Sequence, residues 1–168
     1  GGGIVRINNY SSDKEPLTSF NRISAANSTL TDNAVYCFAP GATGKLWIGT
    51  ENGINYYSYQ SKQLKEFPVV ADNKKVKYVH SINELNDTTL WVSTVGEGIV
   101  KVILNNTGSL PVVKSATRIV LDKGRMASNY FFTSFQESDS ILWFGNRGYG
   151  AYRLNVETGE MTPCKFDD

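Results

Sequence analysis

Short runs of alternating apolar and polar residues fill the chain, and the runs come in sets. "NAVYCFA" (33–39), "LWIGT" (46–50), "INYYSY" (54–59) and "QLKEF" (63–67) are each rich in β-branched and aromatic residues, the signature of strands packed on at least one face. "LWIGT" carries apolar residues on both faces, as a strand sandwiched between neighbouring sheets must. Breakers separate the runs. "PGATGK" (40–45) cannot sustain a ladder, and Asn52-Gly53 is a strong hairpin signal because both residues tolerate positive φ. Together the four runs predict one four-stranded antiparallel unit. No segment predicts a helix: "RISAANSTLT" (22–31) lacks a 3.6-residue apolar stripe, and its Ser, Asn and Thr favour a loop. "VVADNKKVK" (69–77) and "LDKGRMAS" (121–128) read as connections between units.

The unit recurs. Leu46-Trp47 is matched by Leu90-Trp91 and Leu142-Trp143, at Trp-to-Trp steps of 44 and 52 residues. "LWIGTENGINYY" aligns with "LWVSTVGEGIVKV" (90–102) and "LWFGNRGYGAYRL" (142–154), and "GGGIVRI" (1–7) matches "GEGIVKV" (96–102). The first strands of the later units are "VKYVHSI" (76–82) and "NYFFTSF" (129–135); "NNTGS" (105–109) and "NVETGE" (155–160) are turns between third and fourth strands. A period of roughly 40–50 residues with four short strands is that of a propeller blade. The expected fold is therefore all-β, a β-propeller fragment of about three and a half four-stranded antiparallel blades. Residues 1–30 form a half blade (strands three and four), and 31–70, 71–122 and 123–168 form one blade each. Gly49, Gly53, Gly98 and Gly145 recur at fixed offsets from the tryptophans. Gly49 and Gly145 lie inside a strand, where glycine marks a close backbone approach.

Composition narrows the partners. Hydrophobic residues make up 40% and charged residues 20% of the 168-residue chain, which suits a globular protein with a real core. A net charge of +1 gives no electrostatic argument for nucleic acid or an anionic membrane. No apolar run is long enough to span a bilayer, and the first residues have no leader character. Cys37, in "VYCFA", reads as a small core residue; its pairing with Cys164 is left open, and no CxxC or CxxH metal spacing occurs. No cofactor is expected.

The full unit resembles the two-component regulator propeller repeat, roughly L-S-N-x-V-x-x-I, a polar loop, then L-W-I-G-T-x-x-G-L-x-x-Y. "LTDNAVYCFAPGATGKLWIGTENGINYY" (30–57) is similar throughout, "MASNYFFTSFQESDSILWFGNRGYGAYRL" (126–154) fairly so, and "VKYVHSINELNDTTLWVSTVGEGIVKV" (76–102) mainly from the tryptophan on. The resemblance implies the periplasmic sensor region of a hybrid two-component histidine kinase of the kind found in gut Bacteroidetes. There, propellers precede a β-sandwich domain, a membrane helix and the kinase. It further implies a segment that senses oligosaccharides from glycan breakdown and performs no catalysis itself. Expected partners are an oligosaccharide ligand and either further blades or a second copy, since open blade faces are too apolar to stand alone. A protein-interaction scaffold and a polysaccharide-active enzyme are the alternatives.

Candidate ligand residues follow from topology. Turns between strands two and three, and connections between blades, emerge at one end of a propeller. That end would collect Glu51, Asn52, Glu97, Asn146, Arg147 and Tyr149, with Lys74, Lys75 and Arg125 nearby. "NRGYG" (146–150) stands out: Arg147 offers a bidentate donor fork and Tyr149 a stacking ring on a glycine-flexed turn. A merely solvated turn is the competing reading. Trp47, Trp91 and Trp143 recur once per unit and read as core packing, not sugar platforms. His80, the one histidine, follows a strand, which argues against a phospho-accepting helix residue and for a core or end-face position. No catalytic residues are expected.

Overall fold

A computed structural model describes residues 2–8, 19–42, 44–105, 110–121 and 129–164. Three four-stranded antiparallel meanders follow one another. Sheet A holds β3 (Val35–Gly41), β4 (Lys45–Thr50), β5 (Gly53–Ser58) and β6 (Gln63–Phe67). Sheet B holds β9 (Val79–Asn86), β10 (Thr89–Thr94), β11 (Ile99–Asn105) and β12 (Val112–Ile119). Sheet C holds β13 (Phe131–Gln136), β14 (Ile141–Asn146), β15 (Gly150–Asn155) and β16 (Met161–Cys164). Each is ordered as its sequence runs, and a two-stranded sheet of β1 (Ile4–Asn8) and β2 (Ser19–Ile23) precedes them. The described residues contain no α-helix.

The Leu-Trp strands occupy the same place in every sheet. Trp47 lies opposite Ala39, Trp91 opposite Asn83, and Trp143 opposite Phe135. Trp47 and Trp91 are fully buried between sheets, whereas Trp143, on the last sheet, is half-buried. Side chains alternate along each strand, so adjacent residues serve different interfaces. Leu90 and Val92 pack with Trp47, Ile54 and Phe67 of sheet A. Trp91, between them in sequence, packs with Phe131, Leu142 and Phe144 of sheet C. The close approach expected at Gly49 is present: a Cβ there would lie 2.5 Å from Cys37 Sγ and 2.6 Å from the Val79 carbonyl oxygen of the next sheet. At Gly145 the obstacle is Thr133, 2.6 Å away, and sheet B has Ser93 at that place, fully buried. Gly53 and Gly98 both adopt positive φ, 135° and 83°.

Several details depart from the sequence reading. First strands begin two or three residues later than expected, at Val35, Val79 and Phe131. The residues before them are used to reach the previous sheet; Tyr78, at φ 52°, cannot continue a strand. The connection 69–77 is not plain loop. It carries a small hairpin, β7 (Val70–Ala71) with β8 (Lys74–Lys75), turned by Asp72 and Asn73 at φ 52° and 60°, which is the backbone of a two-residue primed turn. The turn at 106–109 and most of 121–128 lie outside the described residues. Cys37 is half-buried, and both cysteines are free thiols. Burial pushes the Cys37 thiol up to about 11.

The two-stranded sheet repeats the outer half of a blade. Gly3 and Gly98 share positive φ, 72° and 83°, and a Cβ at either would strike a carbonyl oxygen, of Ile23 or Ile119. Gly3 N donates to Asn33 O at 3.1 Å, as Gly98 N does to Asn129 O at 3.1 Å. The side chain of Asn33 accepts from Ala25 N at 2.9 Å, and that of Asn129 from Leu121 N at 3.0 Å. Strands β1 and β2 therefore stand to sheet A as β11 and β12 stand to sheet C.

Candidate functional site

A belt of backbone hydrogen bonds joins the three turns that follow the Leu-Trp strands. Tyr78 N donates to Glu51 O (2.8 Å), Val95 N to Tyr78 O (3.1 Å), and Arg147 N to Tyr130 O (3.0 Å), while Val95 and Tyr130 form a β-bridge. The turns carrying Glu51, Asn52, Glu97, Arg147 and Tyr149 are thus linked along one end of the sheets, whereas Asn146, expected among the ligand residues, is buried. The belt satisfies backbone groups that would otherwise be stranded between sheets, and so fixes the turns relative to one another.

The side chains on this face divide into groups. Asn52 donates to Asp32 at 2.8 Å and Glu51 accepts from the Tyr36 hydroxyl at 3.2 Å, so both are tied into sheet A. Glu97 receives Arg118 Nη1 on its carboxylate at 2.9 Å and on its carbonyl oxygen at 3.0 Å. The Arg118 side chain is only 9% exposed and also lies 3.8 Å from Asp72, so the Glu97 charge is paired from behind. Lys75 pairs with Glu66 at 3.0 Å. Arg147 and Tyr149 sit on the exposed β14–β15 turn, where Gly148 and Gly150 adopt φ 84° and 74°. Arg125 is outside the described residues.

Glu97 and Lys74 meet a feature that the sequence reading missed. They line a cleft of about 560 Å³ with Tyr78, Val95, Gly96 and Tyr130. Tyr78 and Tyr130 occupy the same place in the repeat, one residue before the first strand of sheets B and C. The ring of Tyr130 lies over Gly96, 3.7 Å from where a Cβ would stand. Arg147 and Tyr149 do not line this cleft. The arrangement offers two tyrosine rings and hydroxyls, one carboxylate and one ammonium. It suits an uncharged, hydroxyl-rich ligand with an apolar face, for which rings stack and mixed donors and acceptors fix orientation. The equal spacing of "Y-V-H" and "Y-F-F" from the following tryptophans was the available signal, masked because both tyrosines read as strand or connection.

A second aromatic set lines the inner strands. Each first strand carries a bulge at the same register: Tyr36, His80 and Phe132 are the residues skipped between the paired positions on either side. Their rings form a row. Tyr36 and His80 stack at 4.1 Å, and His80 meets Phe132 edge-on at 5.1 Å. Burial lowers the basicity of the His80 imidazole, which is therefore neutral at pH 7. His80 lies in strand β9, not on a helix. Burial also raises the Tyr36 phenol, with the Glu51 hydrogen bond acting in the same direction. Among the described residues, no cluster of His, Cys, Asp or Glu is arranged to hold a metal ion.

Comparison with known proteins agrees with this architecture. Residues 29–52 match the two component regulator propeller family. The chain is similar to Histidine kinase P4 of Formosa agariphila, 30% identical over 132 residues, covering 77% of this chain and 9% of that protein. Its fold is similar to the extracellular domain of BT4673, a candidate hybrid two-component system of B. thetaiotaomicron, with TM-score 0.75 and 19% identity over 96% of this chain and 22% of that one. The extracellular domain of BT3049, a further such candidate from the same organism, matches with TM-score 0.61 and 17% identity, over 88% of this chain and 21% of that one. The chain thus spans about 9% of the curated relative and about a fifth of these solved domains.

Proposed function

We propose that this chain, built of two-component regulator propeller repeats, is part of the extracytoplasmic, periplasmic sensor region of a hybrid two-component histidine kinase, and that it reads an oligosaccharide released by glycan breakdown. The observation that carries the reading is the cleft between Tyr78 and Tyr130, with Glu97 and Lys74 at its rim. In this role the segment binds and relays. The ligand must favour one arrangement of the sensor over another, since equal affinity for both would transmit nothing. The two walls of the cleft come from successive sheets, so a ligand gripping both changes the energy of their relative tilt.

Calorimetric titration of a panel of neutral and acidic glycan fragments tests this. A binding fragment is expected, with Tyr78→Ala and Tyr130→Ala each weakening it at least ~10-fold, about 1.4 kcal/mol or more. Binding that survives both substitutions moves the site elsewhere. A panel without a hit favours the second reading, a protein-interaction scaffold, for which the outer cleft lined by Leu110, Pro111, Val112 and Phe67 is the feature in its support.

A further inference from the structure

Sheets A and B meet at their outer side over a cleft of about 440 Å³, walled by Phe67 and Pro68 from one sheet and by Leu110, Pro111, Val112 and Val113 from the other. One position beside it departs from the repeat. On the third strand of each sheet, the residue paired with the tryptophan is Tyr56 opposite Trp47, Lys101 opposite Trp91 and Arg153 opposite Trp143. Lys101 crosses the Trp91 ring, with its ammonium 5.3 Å from the centroid, and a long cation of this kind carries its charge out to water. Tyr56 is held inside instead. Its ring meets Trp47 and Phe67 edge-on, at 5.7 and 6.3 Å between centroids, and the residue is only 3% exposed. Tyr56 lines the cleft, and among the described residues its hydroxyl makes no hydrogen bond. A phenol this deeply buried normally has a partner. The charges are sorted too. Lys65 and Glu66 also line the cleft, and Glu66 is paired with Lys75 at 3.0 Å. Lys65 has no ion-pair partner among the described residues. It stands directly opposite Tyr56 in the β5–β6 register, so the two side chains leave the same face of the sheet.

We infer that this outer cleft is a second ligand site and takes a small aryl carboxylic acid. The ring lies between Phe67 and Pro68 of sheet A and Leu110 and Pro111 of sheet B. The carboxylate accepts from the Tyr56 hydroxyl and pairs with the Lys65 ammonium. Apolar walls with a few convergent polar groups, in a volume of this order, are the general form of a small-molecule site. A carboxylate is the group that uses both donors at once, through charge-assisted bonds; an alcohol would leave the ammonium without a counter-charge. A sugar is a poor occupant here, because the walls give its hydroxyls almost nothing to bond. The site is separate from the Tyr78–Tyr130 cleft, with which it shares no lining residue, and the inference goes beyond the glycan reading.

The probe is phenylacetate, titrated into the isotopically labelled chain beside its neutral analogue phenylacetamide. The expected result is saturable shifts at Phe67, Leu110 and Val112, with the amide bound at least ~10-fold more weakly. Tyr56→Phe keeps the ring against Trp47 and Phe67 and removes the hydroxyl. It should weaken phenylacetate at least ~10-fold and leave the thermal midpoint in place, because no hydrogen bond within the chain is lost. Lys65→Gln should weaken binding and remove its dependence on added salt. Tyr78→Ala leaves these shifts unchanged, so the outcome is separate from that of the glycan titration. Absence of shifts up to the solubility limit, equal affinity for the amide, or unchanged affinity of Tyr56→Phe overturns the inference. So do shifts produced by an acidic peptide alone, which would give the cleft to a protein partner.

Discussion

At the scale of single residues, the tight points of this fold are the joints between sheets. Gly49 has no space for a side chain between Cys37 and Val79, so Gly49→Ala is expected to cost about 1–3 kcal/mol through overpacking, seen as a lowered denaturation midpoint with unchanged slope. Trp47 Nε1 donates to the Glu84 carboxylate across the A–B joint. Burial raises the proton affinity of Glu84, partly offset by that bond. Glu84→Ala strands the indole N–H and should cost about 1–3 kcal/mol, whereas Glu84→Gln keeps an acceptor and should cost clearly less; chemical denaturation of both variants checks this. Among the described residues Trp91 Nε1 has no hydrogen-bond partner, and Gln136 occupies the Glu84 register in the next sheet. Gly49 was legible in the sequence because glycine inside a strand has few other uses. Glu84 was not. In a linear reading it is one carboxylate near a turn, and only the packing of two sheets brings it to an indole 37 positions away.

At the scale of the strand, the repeated bulge does what alternation cannot. It turns one residue per first strand out of the pleat and lines up Tyr36, His80 and Phe132. The sequence hid this row because the three side chains share only aromaticity, and because a bulge breaks the period of two by which strands are recognised. The strands themselves, the Asn-Gly turn and the Leu-Trp register were legible, since each follows from local chemistry. The Tyr78–Tyr130 cleft needed the spatial adjacency of two connections. The neutral His80 has a pH signature. Its folded-state pKa is lowered, so its contribution is present above the ordinary histidine value of 6.5 and is lost as pH falls through the folded value. Stability is therefore expected to decline on acidification below pH 6.5, and His80→Phe, which keeps a ring in the row, should remove that component when thermal midpoints are compared between pH 7 and pH 5.

At the scale of the whole molecule, the two ends differ from the middle. Phe135 on one end and Phe38 on the other are exposed where internal counterparts are buried or hydrogen bonded, and apolar faces of this kind associate. Light scattering across a concentration series is expected to show mass rising with concentration, and the double variant Phe38→Glu, Phe135→Glu should flatten the curve. A monomeric mass at every concentration would show that these faces are too small to drive association. Among the described residues, sheet B alone is flanked by complete sheets on both sides, and its strand β10 divides its residues between two apolar clusters, Leu90 and Val92 to one and Trp91 to the other. The clusters therefore share a strand, not a common interior. Such a molecule behaves less like a droplet than like a coupled train, in which each carriage is steadied by the next. Heated or pulled, it should come apart from its ends, with amide protection highest in sheet B and falling outward. A void opened at Leu90, one residue from the coupling, should split a single unfolding step into two.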